Sequence, residues 1–160
     1  MILSINKLNS MRAITLFMIL LLSTLFCYAQ SKEIIKTDKA PVPIAPYSQG
    51  IKANGFLFVS GQIGLIPSTR KLVEGGLEAE TTQIMENIRA VLTAGGAGMK
   101  DVVSTTIYLK NIDDFQKMNE IYGKYFTGNF PTRSTVGVSS LAGGASIEIT
   151  VTALLPSNNK

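Results

Sequence analysis

The sequence predicts an α+β domain with its helices on one face of a sheet. Three observations carry that expectation: strand-like runs gather toward both ends of the chain, two amphipathic helical stretches lie between them, and the last strand is apolar on one side only. Glu33-Ile34-Ile35-Lys36-Thr37 reads as a first short strand. The stretch Ala40–Pro46 contains Pro41, Pro43 and Pro46, which lack the N–H that a ladder needs, so it reads as an extended surface segment. Ser48–Ala53 and Phe56–Gln62 flank Asn54-Gly55, the strongest hairpin signal in the chain. Pro67–Gly76 is a loop rich in turn residues.

Leu77 to Ala94 is predicted helical, with Ile84, Met85, Ile88, Val91 and Leu92 on one stripe and Glu78, Glu80, Glu86 and Arg89 outside it. Gly95-Gly96-Ala97-Gly98 ends that helix. Asp101–Lys110, rich in β-branched residues, is a strand. Asn111–Thr127 is a second helix: Asp113 and Asp114 suit its positive N-terminal end, and Phe115, Met118, Tyr122, Tyr125 and Phe126 form its buried stripe. Strands near Arg133–Val138 and Ser146–Leu155 close the chain. In the last, Ile147, Ile149, Val151, Ala153 and Leu155 alternate with Glu148, Thr150 and Thr152. The face carrying Thr150 and Thr152 is left open, either to solvent or to another subunit.

Composition narrows the chemistry. The 160 residues suit one domain. Residues 1–29 hold Lys7 and Arg12, no acidic residue, an apolar run over Ala13–Phe26 and then Cys27-Tyr28-Ala29, the layout of a secretory signal peptide. The run is shorter than the roughly 20 residues of a membrane span, and Phe26 stands where a lipoprotein signal needs a small residue. The expectation is therefore a signal over 1–29, a domain over 30–160, and a secreted or periplasmic protein with no membrane contact once the signal is removed. The remaining 131 residues carry 13 basic and 11 acidic side chains, a net of +2 with no basic cluster, which gives no support for nucleic-acid binding. No histidine is present, and the single cysteine lies before residue 30. That excludes a disulfide, a thiolate nucleophile, a Ser-His-Asp triad and a His- or Cys-based metal site in the domain.

No motif is strong from spacing alone. Gly95–Gly98 follows a helix and lacks the Gly-Lys-Ser/Thr of a phosphate loop, and Gly143-Gly144 reads as a turn. Gln83, Asn87 and Asn119 read as helix-surface polar residues, and Met85, Met99 and Met118 as packing.

Four co-linear segments carry more. Ala45-Pro46-Tyr47-Ser48-Gln49-Gly50, Val59-Ser60-Gly61-Gln62-Ile63, Phe130-Pro131-Thr132-Arg133-Ser134 and Ile147-Glu148-Ile149 resemble, in order and spacing, the signature segments of the reactive intermediate deaminase (RidA, YjgF) family. The resemblance covers about residues 33 to 155. It implies a chorismate-mutase-like mixed sheet with two helices on one face, a homotrimer with clefts between subunits, and cofactor-free hydrolysis of enamine/imine acids such as 2-aminoacrylate to a 2-keto acid and ammonia. Arg133 matches the arginine that holds the substrate carboxylate, a task suited to a planar guanidinium fork. Alone, it would read as a turn arginine after Phe130-Pro131. Glu148 matches the glutamate that holds the attacking water; beside a cation a carboxylate is a weak base, so the expected role is positioning more than proton abstraction. Tyr47 matches a tyrosine that reaches the cleft from a neighbouring subunit, Ser60 a pocket serine, and Asn119 an asparagine found in many members.

Two departures stand out. Thr135 occupies a position where many members carry cysteine, so thiol chemistry there is excluded while backbone contacts to substrate remain available. Ser139–Gly144 lacks the usual Leu-Pro turn, which bears on substrate preference. The alternative to an enzyme is a non-catalytic trimer that binds small carboxylates or a partner in its clefts. The near-neutral charge and absence of histidine argue against a ribonuclease, an activity attached to some relatives.

Overall fold

A computed structural model describes Arg12, Ile14, Thr15, Phe17, Met18 and residues 32–156. The five early residues belong to a separate unit, Met1–Gln30, and are helical and exposed. The rest of the expected leader lies outside the described residues. Among those described, no helix is long and apolar enough to cross a membrane.

The second unit is a mixed six-stranded sheet covered by two helices, as the sequence predicts. Its elements are β1 (Glu33–Ile35), β2 (Gly50–Ala53), β3 (Phe56–Gln62), α1 (Gly76–Ala94), β4 (Val102–Leu109), α2 (Phe115–Tyr122), β5 (Thr132–Gly137) and β6 (Ile147–Leu154). The spatial order is β1-β2-β3-β6-β4-β5. The β2–β3 turn has Asn54 at φ 51 and Gly55 at φ 79, the two positive values of a type I′ hairpin. β6 lies between β3 and β4 and runs antiparallel to both, while α2 crosses between β4 and its parallel neighbour β5.

Side chains alternate across the sheet, and the alternation sets its two faces. Leu57 and Val59 of β3, Thr105, Ile107 and Leu109 of β4, and Ile147, Ile149, Val151 and Ala153 of β6 point toward the helices and are buried. They meet Ile84, Met85, Ile88, Val91 and Leu92 of α1 and Met118 of α2. The opposite face carries Thr150 and Thr152, and also Phe56, Phe58, Val136 and Leu154, which are 38–50% exposed. It is therefore more apolar than the two threonines suggest.

Three readings need correction. The second helix is shorter than 111–127: 3-10 turns at Ile112–Asp114 and Gly123–Tyr125 flank a helix of eight residues. The Asn111 side chain accepts from the Asp113 N–H and tightens the start. Glu80 is buried, and its carboxylate accepts from the backbone N–H and the hydroxyl of Ser146, each at 2.8 Å. Asn87 is fully buried, donating to the Leu65 carbonyl at 2.9 Å and accepting from Gln83 Nε2. A polar residue inside a helical pattern looks solvated until the loop that packs over it is known.

Candidate active site

Arg133 lies on β5 opposite Thr105 of β4, so its side chain leaves the sheet on the helix-covered side, at the edge. There the guanidinium stands 5.1 Å from the Tyr122 ring centroid and 5.5 Å from that of Phe115, both on α2. Cation–π contacts of this kind hold a guanidinium without neutralising it. Tyr122 is itself fixed: its hydroxyl donates to Thr105 Oγ1 at 3.1 Å, and burial pushes its pKa up, against smaller opposing effects of that hydrogen bond and of Arg133. Arg133 pairs with no carboxylate among the described residues. It borders a cleft of about 470 Å³ with Asn119, Tyr122, Gly123, Phe130 and Pro131.

Two buried polar atoms, one on Asn119 in the lining of this cleft and one on Thr135 of the same strand as Arg133, lack partners. Asn119 Oδ1 and Thr135 Oγ1 are buried and make no hydrogen bond within the protein. Thr135 follows Arg133 by two residues on β5 and so shares its face, opposite Ile107. Unsatisfied buried polar atoms cost about 1–3 kcal/mol each, so such atoms suit a ligand or ordered water. The expectation that Asn119 is only a helix-surface residue is corrected, since it lines the cleft.

The other candidates lie elsewhere. Glu148 pairs with Tyr108 in the β4–β6 register, between buried Ile147 and Ile149, and so projects from the uncovered face. Within one chain, Glu148 and Arg133 are on opposite sides of the sheet. Ser60 sits where the β3–β6 register shifts, its hydroxyl donating to the Ser48 carbonyl at 2.6 Å. Tyr47 is half exposed on the proline-rich segment and borders a cavity of about 670 Å³. Sequence reasoning missed Gln49 as a structural anchor. It is 3% exposed; its Oε1 accepts from Thr37 N–H, and its Nε2 lies 2.9–3.1 Å from the carbonyls of Thr37, Ala40 and Pro41. A glutamine has the two donors and the acceptor needed to hold a proline-rich segment that cannot join a ladder.

The fold and site together define an α+β domain with a small arginine-lined cleft at the sheet edge. Residues 37–155 match the family model described as Endoribonuclease L-PSP, and the chain belongs to this family, that of the reactive intermediate deaminases (RidA, YjgF). It is 52% identical over 122 residues to a RutC family protein of Saccharolobus solfataricus, covering 76% of this chain and 97% of that one. It is 42% identical over 123 residues to the human 2-iminobutanoate/2-iminopropanoate deaminase, covering 77% and 90%. The crystal structure of E. coli TdcF with bound serine superposes with a TM-score of 0.74 at 31% identity, covering 78% of this chain and 99% of that one.

These comparisons do not support the signal-peptide reading, nor with it the secreted or periplasmic character. The family match begins at residue 37, and the relatives, matched over 90–97% of their own lengths, offer nothing in support of export. The reading rested on a basic start and an apolar run, a composition that does not by itself specify an address.

Proposed function

We propose that this protein hydrolyses reactive 2-imino acids, formed from enamines such as 2-aminoacrylate, to 2-keto acids and ammonia. The observation that carries this reading is the unpaired Arg133 guanidinium, held over two aromatic rings at a cleft of small-molecule size. Its planar fork suits a carboxylate. The human relative, named as an imino acid deaminase, and TdcF, crystallised with an amino acid, support the substrate class.

The reaction needs no redox partner. The enamine tautomerises to the imine, and Arg133 holds its carboxylate. A water oriented by Glu148 adds to the imine carbon; its oxygen forms the new C–O bond and its protons pass to nitrogen. The carbinolamine then breaks its C–N bond and releases ammonia. Imines hydrolyse readily, so positioning supplies most of the acceleration.

Because Arg133 and Glu148 leave opposite faces of one sheet, the reading requires a site completed between subunits. Arg133, Asn119 and Thr135 come from one protomer, and Glu148, Ser60 and Tyr47 from its neighbour, in a homotrimer assembled through the uncovered sheet faces. The family model is named for an endoribonuclease, but the near-neutral domain, without histidine, favours a small anionic substrate over RNA.

The test is keto-acid release by the full chain from freshly generated 2-imino acids. Arg133→Ala is expected to lose at least about tenfold in kcat/KM, the effect of one charge-assisted contact. Full activity in this variant would refute the reading. No acceleration by the parent protein across several imino acids would favour a non-catalytic carboxylate-binding protein.

A further inference from the structure

We infer that Gly61 is a positioning residue for Glu148: the Cβ it lacks is the space that the Glu148 carboxylate occupies. A Cβ built on Gly61 would overlap Glu148 Oε1 and lie 2.9 Å from its Cδ and 3.3 Å from its Cγ, and would meet nothing else as closely. The usual reason for a glycine at a strand irregularity is a left-handed backbone. Gly61 lies within such an irregularity, where three steps along β3 from Val59 to Gln62 face two along β6 from Val151 to Ile149. Its φ, however, is outside the left-handed range, so an alanine would meet no backbone strain there. The requirement for glycine comes from the neighbouring side chain.

No hydrogen bond or ion pair holds the Glu148 carboxylate among the described residues. Within one chain its placement is therefore steric, set by the space that Gly61 leaves beside it. The obstructed atoms are the far end of a flexible side chain, so Gly61→Ala leaves the fold in place and swings the carboxylate away. The inference rests on Glu148 being the group that orients water, and the experiment separates the two ideas.

Gly61→Ala, Glu148→Gln and the double variant are compared in the imine-hydrolysis assay, with thermal unfolding of each. A carboxylate displaced by about 1 Å or more is expected to lower kcat by ten- to a hundredfold. KM should change little, because Arg133 still holds the substrate. The double variant should be no slower than Glu148→Gln alone, since both changes remove one function. If Glu148→Gln retains full kcat, the reading of Glu148 falls, and the role of Gly61 with it. If Glu148→Gln is slow while Gly61→Ala keeps its kcat, only the Gly61 inference fails. Additive losses in the double variant, or an unfolded Gly61→Ala, would also overturn it, since the Cβ would then be meeting more than a mobile carboxylate.

Discussion

Thr135 lies beside Arg133 on the edge strand, yet its buried hydroxyl has no partner in the protein. Such a group weakens the empty fold and favours binding of whatever satisfies it. Replacing it by valine, of nearly the same branched shape, removes the unsatisfied oxygen with only a small increase in volume. Thr135→Val is expected to raise stability by about 1 kcal/mol in denaturant unfolding and to raise KM for a 2-imino acid. Unchanged KM with increased stability would assign the hydroxyl to water rather than substrate. Arg133 shows the same economy of contacts: it lies over the Phe115 and Tyr122 rings and leaves its donors unpaired by any carboxylate among the described residues.

Between elements, the α1–α2 contact carries a titratable group. Tyr125, just after α2, donates to Glu86 of α1 at 3.0 Å, and its pKa is pushed up to about 12, first by burial and then by the Glu86 carboxylate. The folded state thus favours the neutral phenol. That stability is complete below the unfolded value of 10.0 and is lost as pH rises toward 12. Unfolding by denaturant at pH 9 and at pH 11.5 should show a decline for the parent protein and a shallower one for Tyr125→Phe. Equal declines would place the alkaline sensitivity elsewhere, and Tyr122, whose pKa burial also raises, is the next candidate.

Over the whole molecule, the proposed trimer rests on the uncovered sheet face. Phe56, Phe58 and Leu154 stand together across β3 and β6, where Phe56 pairs with Leu154 and Phe58 with Thr152. Exposed aromatic pairs of this kind favour burial against another surface. The full chain is expected to sediment at about three times its 17.2 kDa. Phe58→Glu would place a charge in each buried interface, so it should yield monomers and lose imine hydrolysis together. A monomeric parent protein with full activity would remove the shared-site reading.

The predicted strands, both helices and the buried stripes of α1 and β6 were legible in the sequence, because period-2 and period-3.6 alternation reports directly which face is buried; of the α2 stripe, Phe115 and Tyr125 are only partly buried. The Asn54-Gly55 turn was legible for an equally local reason. The four signature segments also carried the family and its candidate residues. Only the tertiary structure decided which side of the sheet each candidate occupies, since that depends on strand order and register: Arg133 beside Thr105 under the helices, Glu148 beside Tyr108 on the open face. It also decided that Glu80, Asn87 and Gln49 are buried, because their partners are 8 to 66 residues away in the chain or lie on packed loops. Local pattern fixes where a side chain points from its own element; distant pairing fixes what it meets.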